Sequence, residues 1–297
     1  MVVCSLMKTG IKKLEQAEFP KRLLEIPQPP KQLFVEGELP DENDNIFLTV
    51  VGSRKFSSYG KEACEKIISE LKGHNIVIVS GLAHGIDAIA HKASMKAGLK
   101  TVAVPGSGLD RKVIYPSLNR KLADEIVASG GALFSEFEPM QVATLYTFPQ
   151  RNRIMAGLAK AILVIEAGDK SGTLITARLA TEYNRDLLVV PGSIFSPNAV
   201  GSNKMINLGA TPVSSGEEVL KALGIDIETK QKTLDLKDPT LSENERKVLG
   251  ILSTEPLPRD DLLHELGLPT SEANTLLSVM EIKGLVTESL GEIRINL

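Results

Sequence analysis

Tryptophan is absent from this 297-residue chain, and aromatic residues make up only 4% of it. A broad platform of rings for stacking many successive bases is therefore not expected. Cysteine occurs twice, as Cys4 and Cys64. Two thiols exclude a disulfide framework and a cysteine-rich zinc site, and they fit a reducing cytoplasm. No apolar run approaches the ~18 residues that span a bilayer. Lys8, Lys12 and Lys13 are not followed by an apolar stretch with a small-residue cleavage site, so no secretion signal is expected. These absences point to a soluble, cytoplasmic protein.

No sign of charge dominates, since 34 Lys and Arg face 37 Asp and Glu for a net −3. The balance varies along the chain. Residues 46–225 carry 20 basic against 15 acidic side chains, whereas residues 226–297 carry 8 against 14. Local charge sets the field in a cleft, so an anion is expected to meet the middle segment. Hydrophobic residues at 42% and charged residues at 24% exclude a disordered or collagenous chain. The length suits about two domains.

Residues 1–45 read as a short charged helix near 8–18, a proline-rich stretch and a small edge hairpin at LFVEGELP (33–40). From residue 46 an α/β rhythm begins. Apolar runs at 47–51, 76–79, 101–104, 132–135, 161–165, 187–190 and 210–213 have the length of strands covered on both faces. Helix-period segments at 60–72 and 118–128 lie between them, each stopped by glycine. This alternation predicts a Rossmann-like, doubly wound, mostly parallel sheet over 46–225. A polar linker is expected at 226–240. Residues 241–297 then predict three helices and a hairpin, a winged helix whose first helix opens with a Ser242/Glu245 capping box.

Five predicted strands end in Gly- or Ser-containing turns: VVGSR (50–54), VSGLAHG (79–85), VPGSG (104–108), IEAGDKSGT (165–173) and VPGS (190–193). In a parallel sheet these turns share the carboxyl edge, where ligands bind at the switch in strand order. Glycine permits close approach to the backbone, and helix N-termini offer free N–H groups to anions. One such turn is ordinary loop chemistry, but five with interleaved Arg and Lys predict an anion-binding groove. The first turn is not GxGxxG, and the second strand ends in Val79-Ser80-Gly81 without a ribose-binding acid. A Walker A motif is also missing, so no nucleotide cofactor is expected. His84, Asp87 and His91 can be drawn as a metal triad, but they do not share one helical face and no metal site is expected. Glu136, Glu138 and Glu166 lie near strand ends without the spacing of an acid–base pair, so nothing demands an enzyme.

VGSR-x4-YG (51–60), SGLAHGIDAIAH (80–91), PGSGLD-x4-YP-x2-N (105–119), SE-x-EP (135–139), FPQRNRIMAGLA (148–159), EAGDKSGTLITARLA (166–180) and PGS-x7-GSNKMINLGA (191–210) follow in order. This series closely resembles the DprA/Smf DNA-processing family over about 165 residues. The resemblance implies a cytoplasmic protein that binds single-stranded DNA and loads the RecA recombinase during natural transformation, without covalent catalysis. It also implies a homodimer.

The expected DNA-contacting residues are Gly52, Ser53, Arg54 and Lys55 of the first turn, with Gly81, Gly85 and Gly106 of the next two. Arg111, Arg120 and Lys121 flank the YP turn. Arg151, Asn152 and Arg153 come from the RNR triplet, and Lys170, Ser171, Gly172 and Thr173 from the fourth turn. Arg54, Arg151 and Arg153 are the strongest candidates, because a guanidinium offers phosphate a bidentate fork. Phe56, Tyr59, Tyr115, Phe148 and Phe195 are candidates for occasional stacking. Many members of the family carry a longer N-terminal helical domain, whereas about 45 residues precede the sheet in this sequence. Residues 241–297 hold 5 Lys and Arg against 10 Asp and Glu, and Lys283 is the only base on the expected recognition helix. That is a poor major-groove reader and predicts a protein-contact or regulatory module. The rival reading is a nucleotide phosphoribohydrolase on a similar sheet. Its PGGxGT-x2-E motif is not matched here, since Thr176 stands where its glutamate would fall.

Overall fold

A computed structural model describes residues 10–169, 171–225, 241–289 and 291–295. The chain divides into two compact units, 1–227 and 228–297.

In the first unit the strands are β1 (Lys12–Lys13), β2 (Phe34–Gly37), β3 (Ile46–Val51), β4 (Ile76–Ser80), β5 (Lys100–Ala103), β6 (Ala132–Ser135), β7 (Ala161–Val164), β8 (Asp186–Val189) and β9 (Thr211–Pro212). They form one sheet in the order β1-β2-β6-β5-β4-β3-β7-β8-β9. Strands β3 to β9 run parallel, while β1 and β2 add an antiparallel edge. Order reverses at β3, which pairs with β4 on one side and β7 on the other. That switch opens a crevice beyond the strands' carboxyl ends.

Period-two alternation explains why both faces are covered. Phe47, Val51, Val77 and Val79 enter one core layer, and Leu48, Val50, Ile76 and Ile78 the other. Each fully buried side chain of this size stabilises by about 2 kcal/mol. The helices are α1 (Lys21–Leu24), α2 (Ser58–Glu70), α3 (Ile86–Ala97), α4 (Arg120–Ala128), α5 (Thr147–Leu158), α6 (Thr173–Glu182), α7 (Val200–Asn207) and α8 (Gly216–Ala222). Among the described residues no helix is long and apolar enough to cross a membrane.

The charged helix expected near 8–18 is not formed over its described residues. Lys12 and Lys13 instead pair with Val35 and Phe34 as an edge strand, followed by a single 3-10 turn at Gln16–Glu18. The segment continues through α1 onto α5. A Cβ at Gly157 would lie 2.8 Å from Leu23 Cδ1, so glycine there admits the N-terminal segment against α5.

The second unit holds α9 (Glu243–Leu252), β10 (Leu257–Pro258), α10 (Arg259–Leu266), α11 (Thr270–Ile282), β11 (Val286–Ser289) and β12 (Glu292–Ile295). The strand order is β10-β12-β11, all antiparallel, which is the winged-helix plan. The capping box forms at α9: Ser242 Oγ accepts from Glu245 N at 3.2 Å, and Glu245 Oε2 accepts from Ser242 N at 2.7 Å. Val248, Leu262, Leu277, Met280 and Ile293 make a separate core. The expected linker at 226–240 lies outside the described residues.

Candidate nucleic-acid interface

The loop after β3 carries Gly52, Ser53, Arg54 and Lys55 into the crevice. A Cβ at Gly52 would sit 2.7 Å from Ile86, and Gly85, at φ +80°, would bring one within 2.3 Å of the Ser53 carbonyl oxygen. Glycine at both sites lets this loop lie flat on the start of α3. Ser53 Oγ accepts from Lys55 N at 3.0 Å and donates to the Lys55 carbonyl at 2.8 Å. Asn198 reaches from the far side of the crevice and donates to that carbonyl at 2.8 Å. Buried Glu166, at the end of β7, accepts from Ser57 N at 2.9 Å and from its hydroxyl. Tyr59 donates to the Pro191 carbonyl at 2.7 Å. The loop is thus tied from both sides of the switch, while Arg54 and Lys55 stay exposed.

Beneath it lies a buried charge pair. Arg151, on α5, is only 4% exposed and Asp87, on α3, 6%. Arg151 Nη1 donates to the Val104 carbonyl at 2.9 Å and stands 3.9 Å from Asp87 Oδ2. Asp87 also accepts from Gly81 N at 3.1 Å and Ala83 N at 3.4 Å. Burial pushes the Asp87 carboxyl up, opposed by Arg151 and by these N–H groups. Burial also lowers Arg151, opposed by Asp87. The guanidinium begins so high that it keeps its charge. A Cβ at Gly81 would fall 1.5 Å from Arg151 Nη1, so the glycine makes room for the pair. His91 is fully buried against Thr101 at 2.7 Å. Burial, with Arg151 nearby, pushes it down to about 3, which leaves it neutral.

The mouth is built from the N-terminus of α6 and one face of α5. Ser171, Gly172, Thr173 and Thr176 line one wall, with Arg54, Phe148, Arg151 and Asn152 among the residues on the others, around a cleft of about 650 Å³. A Cβ at Gly172 would meet nothing within 4 Å, so backbone is open to a ligand where a helix N-terminus adds partial positive charge. Arg54 lies 5.4 Å over the Phe148 ring. Phe148 stands 5.9 Å from Tyr115 at 54°. Leu145, which lines the cleft, and its chain neighbour Tyr146 are each more than four-fifths exposed.

The structure gathers part of the expected set and disperses the rest. Gly52, Ser53, Arg54, Lys55, Arg151, Asn152, Ser171, Gly172 and Thr173 share this cleft. Gly81, Gly85 and Gly106 are occupied from within the protein: a Cβ at Gly106 would lie 2.6 Å from Phe148, so this glycine seats a ring rather than a phosphate. Arg111 is held by Glu36 at 2.6 and 3.0 Å and by Asp124 at 2.6 Å, so its fork is already satisfied by carboxylates. Arg120 and Lys121 sit at the start of α4, outside the cleft lining. Arg153 departs most from expectation. Two positions from Arg151 on α5, it donates to the Gln28 carbonyl at 2.8 Å and pairs with Glu136, lining a second hollow under the N-terminal segment. Lys170 lies outside the described residues.

His84, Asp87 and His91 do not converge: His84 is exposed, while Asp87 and His91 have the separate partners given above. Among the described residues no three His, Cys, Asp or Glu side chains could hold a metal ion. Sequence reasoning missed Asp87 as the counter-ion of Arg151 and Asn198 as a clamp on Lys55. The first was hidden in a helix motif, and the second is brought in across the switch with no local signal.

Comparison with known proteins gives a consistent match. Residues 11–224 match the model of DNA recombination-mediator protein A, and residues 232–291 that of the DprA winged helix domain. Protein Smf of Escherichia coli is 38% identical over 276 residues, covering 90% of this chain and 72% of that protein. DNA processing protein DprA of Streptococcus pneumoniae is 43% identical over 202 residues, 68% of this chain and 70% of that one. The X-ray structure of the Streptococcus pneumoniae protein superposes with a TM-score of 0.66 at 40% identity, covering 71% of this chain and 74% of that chain. DNA processing protein A from Helicobacter pylori, described for its single-stranded DNA binding mode, superposes at 0.64 with 29% identity, over 73% and 96%.

Proposed function

Because this chain belongs to the DNA recombination-mediator protein A family, also called DprA/Smf, we propose that its central cleft holds single-stranded DNA and that the protein delivers the strand to the RecA recombinase. The observation that carries this reading is the convergence of exposed Arg54, buried Arg151 and the open α6 N-terminus on one cleft. Arg54 meets a phosphate directly. Arg151, paired with Asp87, fixes the cleft floor from below, and the α6 N-terminus adds partial positive charge beside the open Gly172.

Preference for single strands follows from the mouth. Phe148 and the exposed Leu145 and Tyr146 offer apolar surface to unpaired bases, which a duplex keeps stacked inside. Asp87 is committed to Arg151 and two backbone amides, so it serves as counter-ion, and the cleft holds its ligand without transforming it. In the second unit Arg259 pairs with Glu281 and Glu288, and Lys283 with Glu245. Those cations are used internally, which supports a protein-contact or regulatory role for the winged helix. The protein acts in the cytoplasm as a homodimer through its α/β unit, a state that sedimentation analysis tests.

The direct test is fluorescence anisotropy with one labelled oligonucleotide, single-stranded and annealed. The single strand binds at least about tenfold tighter in this account. Equal affinity for the duplex contradicts it. For delivery, added protein should shorten the lag of RecA ATPase on protein-coated single strands, and an unchanged lag counts against that step.

A further inference from the structure

We propose that Glu166 is a positioning residue: it meets no DNA itself but fixes Arg54 at the cleft mouth by joining the two walls of the switch. This rests on the cleft reading above and gives a role to a buried carboxylate that the reading leaves unused. Arg54 lies on the short connection 52–57 between β3 and α2. That connection is held near its start, in its middle and at its end. Ile86 N donates to the Ser53 carbonyl at 3.2 Å, and Asn198 holds the Lys55 carbonyl. At the end, Glu166 Oε2 accepts from Ser57 N at 2.9 Å and Oε1 accepts from the Ser57 hydroxyl. Ser57 Oγ in turn accepts from Gly60 N at 3.0 Å, so the same carboxylate sets the first turn of α2.

Glu166 itself belongs to the opposite wall, the one that leads into α6. It is 4% exposed just beyond β7. The next residue is bound to the start of α7, since Ala167 N donates to Ser202 Oγ at 2.9 Å and the Ala167 carbonyl accepts from Gly201 N at 2.7 Å. Gly168 then lines the cleft, and its carbonyl accepts from Ser171 N at 3.2 Å shortly before α6 begins. A carboxylate held on one wall therefore grips the loop of the other. Burying that carboxylate is costly unless its oxygens are hydrogen-bonded, and both are given to one residue of the Arg54 loop. An apolar side chain would fill the space without ordering the loop. The fit against α2 is close: a Cβ at Gly60 would fall 2.4 Å from the Glu166 carboxyl.

The test is a double-mutant cycle in the full-length protein, read by anisotropy of a labelled oligothymidylate. Glu166→Ala should weaken binding about tenfold when Arg54 is present and by no more than about twofold beside Arg54→Ala, because both changes remove the same phosphate contact. Its salt slope should become shallower by about 0.7, as for the loss of one contact. Glu166→Gln still accepts from Ser57 N and donates to its hydroxyl, so it should recover most of the affinity. Gly60→Ala added to Glu166→Ala refills the vacated space without the hydrogen bonds. That pair should melt closer to wild type while its affinity stays low. Affinity restored together with the melting temperature, or equal losses with and without Arg54, makes Glu166 a packing residue and overturns this proposal alone. If Arg54→Ala by itself costs no affinity, the cleft reading falls and this proposal with it.

Discussion

Arg151 and Arg153 stand two positions apart on one helix and serve different places: the first donates to the Val104 carbonyl beneath the central cleft, the second to the Gln28 carbonyl under the N-terminal segment. A spacing of two turns a helix by about 200°, so both side chains cannot face one groove. Arg153→Ala should therefore leave oligonucleotide affinity near wild type. It should lower stability on the order of 2 kcal/mol, because Glu136 is left partly buried without its partner. Arg151→Ala strands a more deeply buried Asp87 and should cost about 3–5 kcal/mol. Urea unfolding and anisotropy on the same samples separate the two. A large loss of affinity with unchanged stability in Arg153→Ala contradicts the assignment.

Gly81 is predicted to tolerate no side chain. Its Cβ would overlap Arg151 Nη1, whose guanidinium is boxed in by Asp87 and the Val104 carbonyl. Gly81→Ala should destabilise by about 3 kcal/mol or more and weaken DNA binding with it. A calorimetric scan showing a native-like melting temperature removes this packing argument.

His91 gives a pH dependence with a defined sign. Its folded value, about 3, lies below the ordinary ~6.5, so the unfolded chain binds the proton more readily. The stability tied to its neutral form is complete above about 6.5 and is lost as pH falls toward 3, by up to ~1.4 kcal/mol per pH unit. Replacing the ring, as in His91→Gln, should flatten the fall in urea midpoint between pH 6.5 and 5 relative to wild type. Parallel profiles for the two proteins would show that His91 takes no part.

The phosphoribohydrolase alternative predicts release of free base from nucleoside monophosphates. Thr176 lines the cleft where that activity would place a glutamate, and Asp87 is engaged by Arg151. Incubation followed by chromatography should yield no base above the buffer control. Turnover would require a different account of the cleft.

The sheet was legible because parallel strands covered on both faces need unbroken apolar runs. The runs at 47–51, 132–135 and 161–165 fall on strands observed at 46–51, 132–135 and 161–164. What the turns would do was less legible. Glycine at 52, 81, 85 and 106 reads as an invitation to a ligand, yet in each case a side chain or loop of the protein fills the space. The filling partners arrive from other strands and helices, and local spacing carries no information about them. The fate of Arg111 was hidden for the same reason, since Glu36 lies 75 residues away on β2, which joins the sheet antiparallel to β6. At 12–13 a charged pattern suggested a helix, but pairing with residues 34–35 decided the conformation.

The central claim is that Arg54 meets phosphate at the mouth of one cationic cleft, and the salt dependence of single-strand binding tests it most directly. Plotting log affinity against log salt for wild type and Arg54→Ala should show weaker binding by the variant across all sequences, by about tenfold or more. Its slope should be shallower by about 0.7, the loss of one phosphate contact. Identical slopes for the two proteins would contradict the account.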